Sequence, residues 1–136
     1  MIVVDANVIA YLFIQGENTA DARHILQIDS DWRAPILWRS EFRSVLTLYL
    51  RKQYLKLEQT KFLMKEAENF MLDSEYQPNS DRVLDLVSHS TCSPYDCEYV
   101  VVAQDVGAPL ITLDKKILSE FRGTAISMSE FLVNYL

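Results

Sequence analysis

The feature that most restricts the fold is an uninterrupted apolar run that ends in a carboxylate. The chain begins Met1-Ile2-Val3-Val4-Asp5-Ala6-Asn7. Apolar residues without polar alternation are typical of a strand buried on both faces, as in parallel sheets. Because ligands bind at the carboxyl ends of such strands, Asp5 is a candidate site residue. The alternative is that Asp5 or Asn7 only caps the helix that follows.

The rest of the chain alternates predicted helices with short strands. This order predicts an α/β fold with a parallel sheet covered by helices on both faces, in one domain over residues 1–136. We predict strands at 109–112 and 124–126, a short strand or linker at 32–35 and a weak strand at 75–77. We predict helices at 7–14, 17–29, 36–53, 58–72, 81–90, 93–105 and 114–121, and a terminal helix from Ser127 through Phe131 and Tyr135.

Composition narrows the class of protein. Of the 136 residues, 49% are hydrophobic and only three are glycine, which excludes a disordered or low-complexity chain. No apolar run approaches the roughly 20 residues that a membrane helix needs. The apolar start is too short for a signal peptide, so we expect a cytoplasmic protein without a membrane segment.

Two cysteines and one histidine lie close together in the sequence. Cys92, Cys97 and His89 form only a loose cluster, whereas a zinc site needs a tighter pair and further ligands. We therefore expect both thiols to be small buried hydrophobic side chains.

Charge is unevenly distributed along the chain. The net charge is −6, which argues against a protein that coats nucleic acid broadly. Residues 32–56 nevertheless carry six basic residues and one acidic residue, against seven basic and 18 acidic elsewhere. This segment is either a binding surface or an ordinary solvated helix face.

Three further carboxylates stand out beside Asp5. Glu41 lies in the apolar stripe of the predicted helix 36–53, where a charge is disfavoured unless it is paired with an arginine or bound to a metal. Asp96 completes the pattern Ser93-x-x-Asp96 with Pro94, which is also a capping box. Asp114 follows an apolar strand as Asp5 does, and is also a possible helix cap.

These four carboxylates can meet at one edge of the sheet. Parallel strands place their carboxyl ends on a common edge, and the helices that follow them begin there. Clustered carboxylates raise one another's pKa unless a cation neutralises them. An all-oxygen set without His or Cys suits Mg²⁺ or Mn²⁺ rather than zinc.

The motifs together resemble the PIN-domain family of metal-dependent nucleases. The resemblance covers essentially the whole chain, and its size and layout look most like VapC-type toxins of toxin–antitoxin pairs. It is carried by Val3-Val4-Asp5-Ala6-Asn7, by Pro35 and Glu41, and by the block Tyr95-Asp96-Cys97-Glu98-Tyr99, Ala103 and Gly107-Ala108-Pro109-Leu110-Ile111-Thr112-Leu113-Asp114.

This resemblance implies a three-layer α/β/α sandwich with a five-stranded parallel sheet and an acidic pocket that binds Mg²⁺ or Mn²⁺. It implies cleavage of RNA phosphodiester bonds. The family's acidic roles fall on Asp5, Glu41, Asp96 and Asp114, and its supporting polar positions on Asn7 and Thr112. Ala6 departs from the family, which often has Thr or Ser there.

Two arginines near Glu41 and the resemblance itself indicate further contacts and partners. Arg39 and Arg43, one turn apart beside Glu41, are candidates for holding flanking phosphates, or are surface residues. A VapC-type toxin implies a small antitoxin that covers the pocket and a homodimer formed through helices. Exposed aromatic residues such as Tyr49, Tyr54 and Phe62 would serve this dimer, unless they pack in the core.

Three other functions compete with a toxin nuclease. A haloacid-dehalogenase-like phosphatase also begins with a strand and an Asp, but needs a second acid where this chain has Asn7. A PIN fold can serve as a non-catalytic RNA- or protein-binding module, although the complete acidic set argues against that. It can also be a nuclease of RNA processing without an antitoxin.

Overall fold

The computed structural model describes residues 1–134, which form five strands and eight helices. The strands are β1 (Ile2–Val4), β2 (Trp32–Pro35), β3 (Glu75–Tyr76), β4 (Leu110–Ile111) and β5 (Ala125–Ile126). The helices are α1 (Ala6–Phe13), α2 (Thr19–Ile28), α3 (Trp38–Arg51), α4 (Leu57–Phe70), α5 (Ser80–Ser88), α6 (Pro94–Val106), α7 (Lys115–Glu120) and α8 (Met128–Asn134).

The strands form one parallel sheet in the order β3-β2-β1-β4-β5, with β1 at its centre. All three residues of β1 are buried, as the unbroken apolar run predicted. The chain builds the sheet outward from β1 in both directions, so the strand order reverses between β1 and β4. Such a reversal opens a crevice at the carboxyl ends of the two strands.

Helices flank the sheet, which confirms the predicted three-layer α/β/α arrangement. The most buried helix, α6, packs on β1, β2 and β4, and its residues 99–103 are all buried. The helix α1 packs against α2, α3 and α4. The helices therefore hold the ends of the central strands in fixed positions.

The helix α3 is shorter than its predicted range of 36–53. It begins two residues late because the amide of Ile36 donates to the carbonyl of Tyr76 at 2.8 Å, which extends the ladder between β2 and β3. Its core face is Trp38, Phe42 and Leu46, a spacing of one turn each. Leu48 lies at helical spacing from Val45 in the sequence, and it is nevertheless exposed.

The ends of the other elements lie within two residues of their predicted positions. Gly107 ends α6 in the left-handed conformation, with φ of 68°. The predicted extension of the terminal helix to Tyr135 lies outside the described residues. Within residues 1–134, no helix has both the length and the apolar character needed to cross a membrane.

Candidate active site

A cavity of about 330 Å³ lies at the carboxyl ends of the central strands and brings the predicted acidic residues together. Its polar side chains come from positions as far apart as Asp5 and Asp114. The lining consists of Asp5, Ala6, Asn7, Glu41, Ser44, Val45, Asp96, Tyr99, Asp114 and Ile117.

Asp5 occupies the crevice between β1 and β4 because it directly follows β1. Its Oδ1 accepts a hydrogen bond of 3.0 Å from the amide of Val8, so Asp5 caps α1. Its Oδ2 accepts a hydrogen bond from the hydroxyl of Thr112. Asp5 therefore caps α1 and also lines the cavity.

Thr112 connects two of the aspartates although it does not line the cavity itself. This fully buried side chain donates to Asp5, and its Oγ1 accepts from the amide of Asp114 at 3.0 Å. Asp114 in turn caps α7 by accepting from the amide of Ile117 at 3.0 Å. Thr112 thus holds the backbone that follows β4 next to the side chain of Asp5.

Asp96 likewise combines capping with a place in the cavity. The Ser93 hydroxyl accepts from the amide of Asp96 at 3.0 Å, and Oδ2 of Asp96 accepts from the amide of Ser93 at 3.4 Å. This capping box leaves Oδ1 of Asp96 without a hydrogen-bond partner among residues 1–134. Capping orients a carboxylate and does not prevent it from binding a ligand.

Glu41 is held by a tyrosine rather than by an arginine. The Tyr99 hydroxyl donates to Oε1 of Glu41 at 2.6 Å, and the tyrosine ring is buried. Among the described residues Glu41 forms no ion pair, so the arginine-paired alternative is wrong. Burial raises the pKa of Glu41, and the charges of Asp5, Asp96 and Glu98 raise it further.

The electrostatics of the cavity favour a cation. Burial raises the pKa of Asp5, against hydrogen bonds from Thr112 and Val8 that lower it, and the charge of Asp114 adds to the rise. None of the described residues that line the cavity is basic. Asp5 and Glu41 are thus desolvated without a positively charged side chain in the cavity to compensate them.

The donor set fits a hard divalent cation in its chemistry. Within residues 1–134, no three His, Cys, Asp or Glu side chains are arranged as they stand to hold one metal ion. Mg²⁺ does not require such a cage, since it usually keeps several waters and binds through one or two carboxylates. Four carboxylates around one cavity meet that requirement.

The two predicted phosphate-binding arginines do not line the cavity. Arg39 donates to both carboxylate oxygens of Glu75, at 2.5 and 2.7 Å, and to Glu68 at 2.7 Å. Glu75 also accepts from the indole of Trp38 at 2.8 Å. Arg43 is exposed, and its guanidinium contacts only the carbonyl of Arg39 and Ser40 in the described part of the chain.

Two polar lining residues, Tyr99 and Ser44, were not among the predicted site residues. Tyr99 belongs to the C-terminal motif block, but the sequence predicts a core residue for a tyrosine at an apolar helix position. Only the structure shows the partner of its hydroxyl. Its spacing of three from Asp96 places both residues on one face of α6. The same spacing relates Ser44 to Glu41 on α3. A search for polar residues three positions after each predicted helical acid would therefore find both Tyr99 and Ser44.

The cysteines are buried, as expected for small hydrophobic side chains. The Cys92 thiol donates to Glu120 at 3.2 Å, and burial together with this carboxylate raises the pKa of Cys92 to about 12. Burial also raises the pKa of Cys97. Both thiols are therefore protonated at neutral pH.

Comparison with known proteins agrees with this geometry. A family model described as PIN domain matches residues 2–123. Ribonuclease VapC3 of Pyrobaculum aerophilum is 24% identical over 123 residues, which cover 88% of this chain and 94% of the relative.

Two solved structures share the fold. The crystal structure of PAE2754 from Pyrobaculum aerophilum has a TM-score of 0.75 at 22% identity, covering 97% of this chain and 93% of that one. A toxin-antitoxin complex from Klebsiella pneumoniae contains a chain with a TM-score of 0.64 at 16% identity, covering 94% of this chain and 98% of that one.

Proposed function

Since this chain belongs to the PIN domain family, we propose that it is a metal-dependent endoribonuclease, the toxin of a type II toxin–antitoxin pair. The observation that carries the proposal is the convergence of Asp5, Glu41, Asp96 and Asp114 on one cavity. The name of the related ribonuclease VapC3 supports RNA as the substrate, and the Klebsiella pneumoniae complex supports an antitoxin. Family membership argues against the phosphatase alternative.

In this proposal Asp5, Asp96 and Asp114 hold Mg²⁺ or Mn²⁺, directly or through water, and Asn7 and Thr112 support them. A bound divalent cation would lower the pKa of a water molecule and stabilise charge on the phosphoryl oxygens. The chain itself supplies the geometry, because Thr112 ties Asp5 to the backbone of Asp114.

Glu41 orients the attacking water and takes its proton. Tyr99 holds Oε1, while Oε2 has no hydrogen-bond partner among the described residues and can accept that proton. The raised pKa of Glu41 brings this carboxylate closer to neutral pH, where a general base is most effective.

We assign the flanking-phosphate role to Arg43 and a structural role to Arg39. The guanidinium of Arg43 is exposed and forms no ion pair with the described residues, so it is accessible to a phosphate. A phosphate at Arg39 would have to displace Glu75 and Glu68.

The proposed partners are an antitoxin segment over the acidic cavity and a second copy of the chain. Leu57 and Phe62 at the start of α4 are 52% and 62% exposed, and they provide an apolar surface for a homodimer through helices. We propose a cytoplasmic location, consistent with the absence of a membrane-spanning helix from residues 1–134.

An RNA cleavage assay tests the nuclease proposal. We expect the purified protein to cleave RNA with Mg²⁺ or Mn²⁺, and to lose activity in excess EDTA or after Asp5→Asn. The matched control is Asp21→Asn, an exposed aspartate of α2 outside the cavity. Full activity in EDTA, or in Asp5→Asn, would remove the assignment.

One observation favours a second candidate, a non-catalytic RNA- or protein-binding module. No ready-made three-residue metal site exists within residues 1–134. RNA binding without cleavage, at any divalent metal concentration, would select this alternative.

A further inference from the structure

Two further cavities continue the acidic cavity along α3. The first, of about 200 Å³, shares Asn7 and Val45 with the acidic cavity and extends to Tyr49. The second, of about 210 Å³, shares Tyr49 with the first. We call the two together the α3 groove, which is lined by Asn7, Ala10, Tyr11, Ile14, Gly16, Glu17, Asn18, Val45, Leu48, Tyr49, Lys52 and Tyr54.

Aromatic rings line the α3 groove along its length. Tyr49 meets Tyr54 edge to face, with ring centroids 6.2 Å apart, and Tyr11 also lines the groove. Tyr54 and Leu48 are 70% and 59% exposed, so this apolar surface faces solvent. Aromatic side chains in an open groove are the platforms on which unpaired bases stack.

Beyond Glu41, the charged side chains of α3 and of the residues up to Leu57 are basic, in contrast to the acidic cavity. Between Phe42 and Leu57 the only charged side chains are Arg43, Arg51, Lys52 and Lys56, and all four are exposed. Lys52 lines the groove at the end far from the carboxylates. The one acidic side chain among the groove residues is Glu17. Lys52 balances Glu17 in the groove lining, so the attraction for a phosphate backbone comes from Lys52 together with its basic neighbours on and after α3.

We propose that the α3 groove binds single-stranded RNA next to the cleaved phosphate, with a base stacked on Tyr49 and Lys52 paired with a backbone phosphate. The inference rests on the proposed function, because it takes the acidic cavity as the site of cleavage. A rise of 1.5 Å per residue places Val45 and Lys52 about 10 Å apart along the helix axis, which is room for a short run of nucleotides. The local positive charge favours RNA over an acidic peptide segment.

Binding measured without catalysis tests the groove by itself. The probe is a fluorescent single-stranded RNA of mixed sequence, titrated in EDTA with the full chain and followed by anisotropy. We expect Tyr49→Ala to weaken binding about 5- to 150-fold, the range found for losing one stacking platform, and Tyr49→Phe to retain binding. Lys52→Gln should lower the slope of log affinity against log salt by about one.

The control is Leu84→Ala, which shortens an exposed apolar side chain of α5 that does not line the groove. Its affinity should equal that of the unsubstituted chain. Equal RNA affinity of Tyr49→Ala and the unsubstituted chain would overturn the proposal. The groove would then be assigned to a protein segment. An equal loss in Leu84→Ala would overturn it as well.

This design separates the groove from the proposed function. Groove-dependent binding by a chain that never cleaves RNA would refute the nuclease and keep the RNA groove. Metal-dependent cleavage with an unchanged affinity for Tyr49→Ala would keep the nuclease and refute the groove.

Discussion

The hydroxyl of Tyr99 donates a 2.6 Å hydrogen bond to Oε1 of Glu41, and so joins α6 to α3 across 58 residues of chain. The donor cannot readily lose its proton, because burial and the neighbouring Glu41 charge raise the pKa of Tyr99. The contact restricts Glu41 to one orientation at the cavity wall. Glu41 is the one predicted acid that does not cap a helix, so Tyr99 replaces the cap as its orienting partner.

Tyr99→Phe should therefore reduce catalysis more than it reduces stability. Losing a partner that orients a reactive group typically costs 10- to 100-fold in activity, and we expect that loss in kcat with little change in KM. Steady-state RNA cleavage measures both constants. Tyr95→Phe, at an exposed ring one residue before Asp96, is the matched control. A kcat equal to that of the unsubstituted chain would show that Tyr99 does not position Glu41.

Asp5→Asn should abolish cleavage and yet stabilise the metal-free protein. Burial raises the pKa of Asp5 in the folded state, so the folded chain holds this proton more tightly than the unfolded chain does. The resulting stability is fully present below the ordinary carboxyl pKa of 3.8 and is lost as the pH rises through the raised folded value. At neutral pH the substitution removes an unfavourable buried charge and keeps a good helix cap.

The gain in free energy of unfolding should lie in the range of about 0.5–2 kcal/mol seen when a functional group is replaced by a more compatible one. Urea unfolding in EDTA, at acidic and at neutral pH, measures it. The difference in free energy of unfolding between Asp5→Asn and the unsubstituted chain should be larger at neutral pH than at acidic pH. Asp21→Asn should show no such difference, and a destabilised Asp5→Asn at neutral pH would contradict the argument.

Divalent metal should stabilise the folded chain by binding where carboxylates repel one another. A ligand at 100 times its dissociation constant adds about 2.7 kcal/mol to the free energy of unfolding, or roughly 10 °C in melting temperature for a domain of this size. A thermal scan with Mn²⁺ and with Mg²⁺ measures the shift. Asp114→Asn should reduce it. An unshifted melting temperature at saturating metal would count against the site.

Arg39→Met should lower stability rather than RNA affinity. The substitution leaves Glu75 and Glu68 without their cation, and the cost should be about 2 kcal/mol, as for hydrogen bonds to charged groups. Arg39 lowers the pKa of Glu75, so this stabilisation is present at neutral pH and is lost as the pH falls through that lowered value. Chemical unfolding of Arg39→Met and of exposed Arg43→Met compares the two. Equal stability of these variants would refute the structural role.

Local sequence patterns predict much of this fold. The apolar run of β1 has no polar face to expose, so it has to be a central strand, and Asp5 has to lie at its end. Periodicity and capping residues located the helices, with errors of one or two residues at their ends. Asp5, Asp96 and Asp114 were predictable site residues because strand ends and helix starts share one edge of a parallel sheet.

Tertiary structure alone decided how side chains from distant segments pair. Arg39 pairs with Glu75 and Glu68, and Tyr99 with Glu41, at separations of 29 to 58 residues, where local sequence patterns carry no information. Leu48 fits the helical period of a buried position, yet it lies exposed beside the α3 groove. Periodicity specifies which residues share a face, whereas the packing of neighbouring elements determines whether that face is covered.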